Sequence, residues 1–303
     1  MGFFKQLFGG NAQDNSQDKQ QNKDRDFDVL KYDGVKAMNM GQADYAVKCF
    51  DKALEFHEDL EIHDYLSQIY IRADQMDKAL EQLTMLHEAQ PDNIRILLRM
   101  ANIYYMIEDY DHMAEVSEKA KTLDAENAQA IYELARAMRG KGDMIQAVAQ
   151  ISQCIALCNK AAEDHAQLLK EAMLLRGTLL LKMGDQTGAE ADANWLREND
   201  SESEDAMMFI ARVQQALGHN DEALKCYDKV ISLNPFSVEA FRERGNLKLS
   251  MGDKQGAEED MKSVLELDPE GAQGVSGNFE AIGHEDIQQQ VEQSYKNNNP
   301  FLQ

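Results

Sequence analysis

Cys154 and Cys158 stand four residues apart, the spacing that puts two thiols on one face of a helix. Two thiolates make half of a tetrahedral zinc site. No second Cys or His pair is spaced to complete it, so the pair reads as core packing and no metal site is expected. The seven histidines, His57, His63, His87, His112, His165, His219 and His284, form no His-Glu-Xaa-Xaa-His pattern and read as surface or capping residues. There is no nucleophile elbow, no phosphate-cradling glycine loop, and no carboxylate pair that rises above a background of 54 acids. The expectation is a chain that is not an enzyme and carries no cofactor.

Charge narrows the partners. A formal net charge of −23 over 303 residues disfavours nucleic acid, whose phosphates need a basic surface. The four cysteines, Cys49, Cys154, Cys158 and Cys226, lack a disulfide-framework spacing and read as reduced core thiols, which suits a cytoplasmic location. No apolar run reaches the roughly 18 residues of a spanning helix, and the first residues do not read as a secretory signal.

The elements that would position any site are helices. Residues 204 to 237 place apolar residues at helical spacing through Ala206, Phe209, Ile210 and Val213, then through Ala223, Leu224, Tyr227, Val230 and Ile231. Residues 218 to 220 break the pattern between the two, and Pro235 stops the second. Counting from Ala223, a small residue lies twelve before it, Ala211, and Tyr227 and Val230 lie four and seven after it. The same offsets recur around Ala46, Ala79, Met113, Ala147, Ala189 and Ala257, giving seven copies, each with one such anchor position. The steps are 33 or 34 residues, except 42 between Ala147 and Ala189. That longer step is expected to lengthen two helices and to divide the array at residue 169.

A period near 34 with two helices per unit, over residues 27 to 271, resembles the tetratricopeptide repeat. The resemblance implies an all-α fold, a right-handed superhelical solenoid of antiparallel helix pairs, with four repeats in 27 to 169 and three in 170 to 271. One unit cannot bury its apolar stripe alone, so stacking of neighbours makes the core. The resemblance further implies that the first helix of each pair lines a concave groove that binds a protein or peptide. At the lining offsets stand Lys31, Tyr65, Arg95, Arg99, Asn102, Tyr105, Tyr132, Arg136, Arg139, Met208, Arg212, Arg242 and Asn246. Six arginines in so acidic a chain suit an acidic side chain or a free C-terminus, with asparagines for the peptide backbone and aromatic rings for apolar contact. The alternative is that these arginines pair with neighbouring acids along the stack. A chaperone-type carboxylate clamp would be incomplete, because Val35 and Tyr65 occupy its two asparagine places.

Outside the repeats, Phe3, Phe4, Leu7 and Phe8 form a short hydrophobic tip, followed by a polar tract, residues 11 to 26, expected to be disordered. The tip supports a second reading, an adaptor recruited weakly to a membrane surface or to an assembly. Residues 272 to 303 are expected to hold a polar capping helix, 284 to 296, and a loose tail whose residues 300 to 303 could fold into the groove.

Overall fold

The computed structural model describes residues 12 to 269 apart from 162. Among them there are fourteen α-helices and no strand. The tip Phe3, Phe4, Leu7 and Phe8, the capping segment and the tail lie outside the described residues. The chain forms two compact units with the break between Leu169 and Lys170.

The first unit holds α1 (Ala12–Asn39), α2 (Ala43–Leu54), α3 (Leu60–Arg72), α4 (Met76–Ala89), α5 (Ile94–Met106), α6 (Tyr110–Leu123), α7 (Ala128–Gly140) and α8 (Met144–Lys160). Odd and even helices pair as hairpins, and α5 also meets α7, so equivalent helices of neighbouring pairs touch. The second unit is built in the same way from α9 (Ala166–Lys182), which begins just before the break, α10 (Gln186–Asn199), α11 (Glu204–Ala216), α12 (Asn220–Leu233), α13 (Val238–Ser250) and α14 (Lys254–Leu267). Each unit is thus an all-α stack of helix pairs, the arrangement of an α-solenoid.

Small residues permit the pairing. The anchor positions Ala46, Ala79, Met113, Ala147, Ala189 and Ala223 are completely buried. Opposite these six and Ala257, which is also buried, lie Gly34, Ser67, Ala101, Ala135, Gly177, Ala211 and Gly245, twelve residues earlier and all buried as well. A Cβ on Gly177 would sit 2.4 Å from Phe209 Cζ and 3.0 Å from Asp192 Cβ, so only glycine lets α9 come so close. Residues four and seven after an anchor, such as Phe50, Leu83, Leu86, Ile151, Cys154, Leu196, Tyr227 and Val230, fill the space between pairs.

The turn inside each pair needs one residue of left-handed backbone, always five before the anchor. Gly41, Gly142, Gly184, Gly218 and Gly252 supply it, whereas Asp74 and Glu108 adopt φ of 56° and 58° without being glycine. Asp59, Asp109, Asp143, Asp185 and Asp253 cap helix N-termini by accepting backbone N–H groups.

Two features differ from or refine the sequence expectation. The long step is absorbed by α8 and α9, each of 17 residues where other even and odd helices commonly have 14 and 13. Residues 12 to 26, expected to be disordered, form the first part of the 28-residue α1. The segment has no Pro or Gly, and it continues a helix already anchored by Phe27, Leu30 and Ala37 in the first core cluster. Once a nucleus is packed, each further turn needs only favourable propagation.

Candidate peptide-binding site

The odd helices carry the groove residues, and these side chains join one odd helix to the next. In the first unit Lys31 Nζ on α1 donates to Asp59 Oδ2 at 2.7 Å and pairs with Glu61 at 2.6 Å. Arg99 on α5 is paired with Asp64 on α3 and donates to Ser67 Oγ at 2.5 Å. Tyr65 gives its hydroxyl to Glu61 and stacks on Phe50 with ring centres 5.5 Å apart.

Between α5 and α7 the arrangement changes. The Arg136 guanidinium lies 3.6 Å from the centre of the Tyr105 ring and 5.8 Å from that of Tyr132. Arg136 also donates to Glu133 Oε2 at 2.7 Å, and Glu133 is itself only 5% exposed. Burial pulls the Arg136 pKa down, but Glu133 and Tyr105 raise it overall, so its charge is secure. Arg139, one period after Tyr105, donates from Nη2 to the Tyr105 hydroxyl oxygen at 3.1 Å. Arg136 lowers the Tyr105 pKa most; burial opposes this, and the charge of Arg139 adds to it. Arg95, Asn102 and Arg139 are exposed. Among the described residues no carboxylate forms an ion pair with Arg95 or Arg139.

In the second unit Arg212 on α11 reaches α13. Its Nε donates to both Glu243 oxygens at 3.0 Å, and its Nη2 donates to Glu239 at 2.6 Å. Hydrogen bonds to Glu243 raise the Arg212 pKa further, against burial. Tyr227, fully buried, hydrogen-bonds the same Glu243 at 2.9 Å, and burial together with that carboxylate pushes its pKa up. Arg212, Gln215, Ala216, Glu243 and Asn246 line an open depression of about 420 Å³. Asn246 is exposed, and Arg242 has a buried Nε without a hydrogen-bond partner among the described residues. Met208, read as a groove contact, is 5% exposed and belongs to the core.

The six arginines are therefore not equivalent. Arg99, Arg136 and Arg212 already have carboxylates of their own chain, and the apparent basic lining shrinks to Arg95, Arg139 and Arg242. At the same offsets the fifth pair carries Glu171, Leu174, Leu175, Thr178 and Leu181, a mostly apolar set without an arginine.

Sequence reasoning also missed two buried ion pairs behind this face. Arg176 grips Asp192 through two bonds of 2.9 and 2.5 Å, and Arg244 grips Asp260 through bonds of 3.0 and 2.5 Å. Asp192 and Asp260 are each 2% exposed. An available signal was Arg-Gly at 176–177 and again at 244–245, two periods apart, with an aspartate sixteen residues after each arginine.

The residues weighed for metal or acid–base chemistry serve packing instead. Cys154 and Cys158 are buried with sulfurs 3.9 Å apart, and Cys154 donates to the Ala128 carbonyl at 3.3 Å. Burial drives the Cys154 thiol pKa well up, which suppresses thiolate formation. Among the described residues no group of three or more His, Cys, Asp or Glu is placed to hold a metal ion. His63, expected at a surface or cap, is 5% exposed and bridges Gln82 at 2.7 Å and Glu58 at 3.1 Å. No helix among the described residues is long and apolar enough to cross a membrane.

Comparison with known proteins agrees with this architecture. Residues 210–272 match the family model described as tetratricopeptide repeat, and the fourteen helices make seven pairs. The chain is a tetratricopeptide repeat protein. Solved structures of similar fold include a tetratricopeptide repeat protein from Parabacteroides merdae, with TM-score 0.65 and 17% identity over 80% of this chain and 94% of that one. Another is PilW, a type IV pilus biogenesis factor, with TM-score 0.61 and 18% identity over 70% of this chain and 94% of that one. In sequence the repeats are 24% identical over 249 residues to the Protein CTR9 homolog of Arabidopsis thaliana, covering 80% of this chain and 22% of the relative. They are 25% identical over 181 residues to the DnaJ protein P58IPK homolog B of Oryza sativa subsp. japonica, covering 59% of this chain and 32% of the relative. The tetratricopeptide repeats here thus span about a fifth to a third of these curated relatives.

Proposed function

We propose that this tetratricopeptide repeat protein is a non-enzymatic scaffold that holds an extended peptide segment of a partner on the odd-helix face of its first unit. The peptide carries a carboxylate, from an acidic side chain or a free C-terminus. The reading rests on one observation: Arg139 has no ion-pair partner among the described residues, yet Tyr105 fixes it in place, with Asn102 and Arg95 exposed along the same helix as Tyr105. A guanidinium already ordered loses less entropy on meeting a carboxylate. The Tyr105 oxygen accepts from Arg139 and so keeps its own proton to donate to a second oxygen of that carboxylate. Arg136, stacked on Tyr105 and tied to Glu133, serves as a rigid wall with Tyr132.

The test is selection of a displayed C-terminal peptide library on the full chain, followed by binding of the enriched peptide with its carboxylates intact or converted to amides. Loss of binding on amidation, and loss of enrichment on Arg139→Gln, are expected. An enriched peptide that binds equally well as the amide would refute the carboxylate reading.

A further inference from the structure

Tyrosines in this chain differ in what surrounds the oxygen. Tyr65 and Tyr227 face glutamates, Tyr70 and Tyr104 are part-buried near acids, and Tyr45 lies near Cys49 and Asp33, and in every case the phenol proton is held more tightly. Tyr105 goes the other way. The groups that face it are Arg139 at 3.1 Å from its oxygen, Arg136 at 3.6 Å from its ring centre, and Tyr110, edge-on at 6.3 Å. Glu133 lies behind Arg136 and is bonded to it. Two guanidiniums meet one phenol, and no carboxylate is bonded to it among the described residues.

We propose that Tyr105 is the chain's site of electrophilic aromatic modification, nitration in particular, and that a nitro group there closes the Arg139 site to carboxylates. The second half rests on the peptide-binding reading given above. The reaction consumes the phenolate. The phenol yields its proton to water, and the ring carbon beside the oxygen attacks nitrogen of a nitrating oxidant. With tetranitromethane, the ring C–N bond forms as one C–N bond of the reagent breaks. The ring hydrogen leaves as a second proton, which restores the aromatic ring as a nitrophenolate, and trinitromethanide departs with the electron pair. The nitro group then withdraws electron density, so the modified phenol stands ionised nearer neutral pH. It becomes an internal counter-ion for Arg139, in the manner in which Glu243 already satisfies Arg212.

The experiment treats the full chain with limiting tetranitromethane at mildly alkaline pH and maps nitration by mass spectrometry. Among the described tyrosines, exposure alone favours Tyr32 at 69% and Tyr45 at 53%. Tyr105 is expected to be nitrated first; nitration led by Tyr32 or Tyr45 overturns the proposal. Arg139→Gln should slow Tyr105 about threefold relative to Tyr32 in the same molecule, the size that one nearby exposed charge gives. An unchanged ratio overturns it too, and unfolding would announce itself by speeding every tyrosine. Closure is read separately from the visible absorbance of the nitrophenol. It should ionise at lower pH in the native chain than in Arg139→Gln, and equal titration refutes the counter-ion step whether or not any peptide is found.

Discussion

Removing Asp192 tests the packing logic more sharply than any surface change, because the carboxylate is 2% exposed while its partner Arg176 is 24% exposed at the side chain. Asp192→Ala leaves a guanidinium that has lost both its carboxylate bonds. Breaking a buried pair this way costs about 3–5 kcal/mol when the remaining charge cannot reach water. Arg176 can partly reach it, so a loss of about 2–3 kcal/mol is expected. Asp192→Asn keeps the shape and one acceptor, and should cost about 1–2 kcal/mol. The double change Asp192→Leu with Arg176→Met replaces the pair by apolar volume and should recover most of the loss. Trp195, the only tryptophan, stands three residues from Asp192 on α10, so its fluorescence reports this unit alone. With a urea slope of about 1–3 kcal/mol per molar, the Asp192→Ala midpoint should fall by roughly 1–2 M. A shift under about 0.3 M, or a double variant as unstable as the single one, would refute the reasoning.

Other changes probe other links. Glu108→Gly removes a left-handed glutamate and should raise stability by about 1 kcal/mol, read as a higher melting temperature by circular dichroism; no rise would mean that the turn is unstrained. Gly177→Ala pushes a methyl onto the Phe209 ring and should cost about 1–3 kcal/mol by Trp195 fluorescence; a neutral result would show that α9 can slide away. Against burial, Lys31 and the backbone N–H groups of Ile62 and Glu61 hold the Asp59 pKa down. A carboxylate depressed in the folded state contributes stability above its unfolded pKa of about 3.9 and loses it as pH falls through the folded value. Wild type should therefore lose more stability on acidification below about pH 4 than Asp59→Ala, as compared by urea unfolding at each pH; parallel pH profiles would sink this.

The period and its small residues were legible because packing repeats at fixed offsets: Ala46, Ala79 and Ala223 are completely buried and had to be small. The helical state of residues 12 to 26 was not, because a polar segment carries no periodic stripe and its order derives from the packed turns of α1 that start at Phe27. Arg99 and Arg212 were found by spacing alone, but their partners Asp64 and Glu243 sit 35 and 31 residues away, so the pairing depends on the register between neighbouring pairs. Spacing therefore overstated the available positive charge. Met208 was misplaced for a related reason: its offset is one that neighbours leave half-open at Tyr132, whereas the surroundings of α11 close over it.

Arg139 meeting a carboxylate of the bound peptide is the contact on which the proposed function turns, and a double-mutant cycle measures it directly. Titration calorimetry would compare wild type and Arg139→Gln, each against the selected peptide in carboxylate and amide forms. A coupling of about 1.4 kcal/mol or more, a tenfold effect, is predicted between the two changes. Additive losses with no coupling would contradict it.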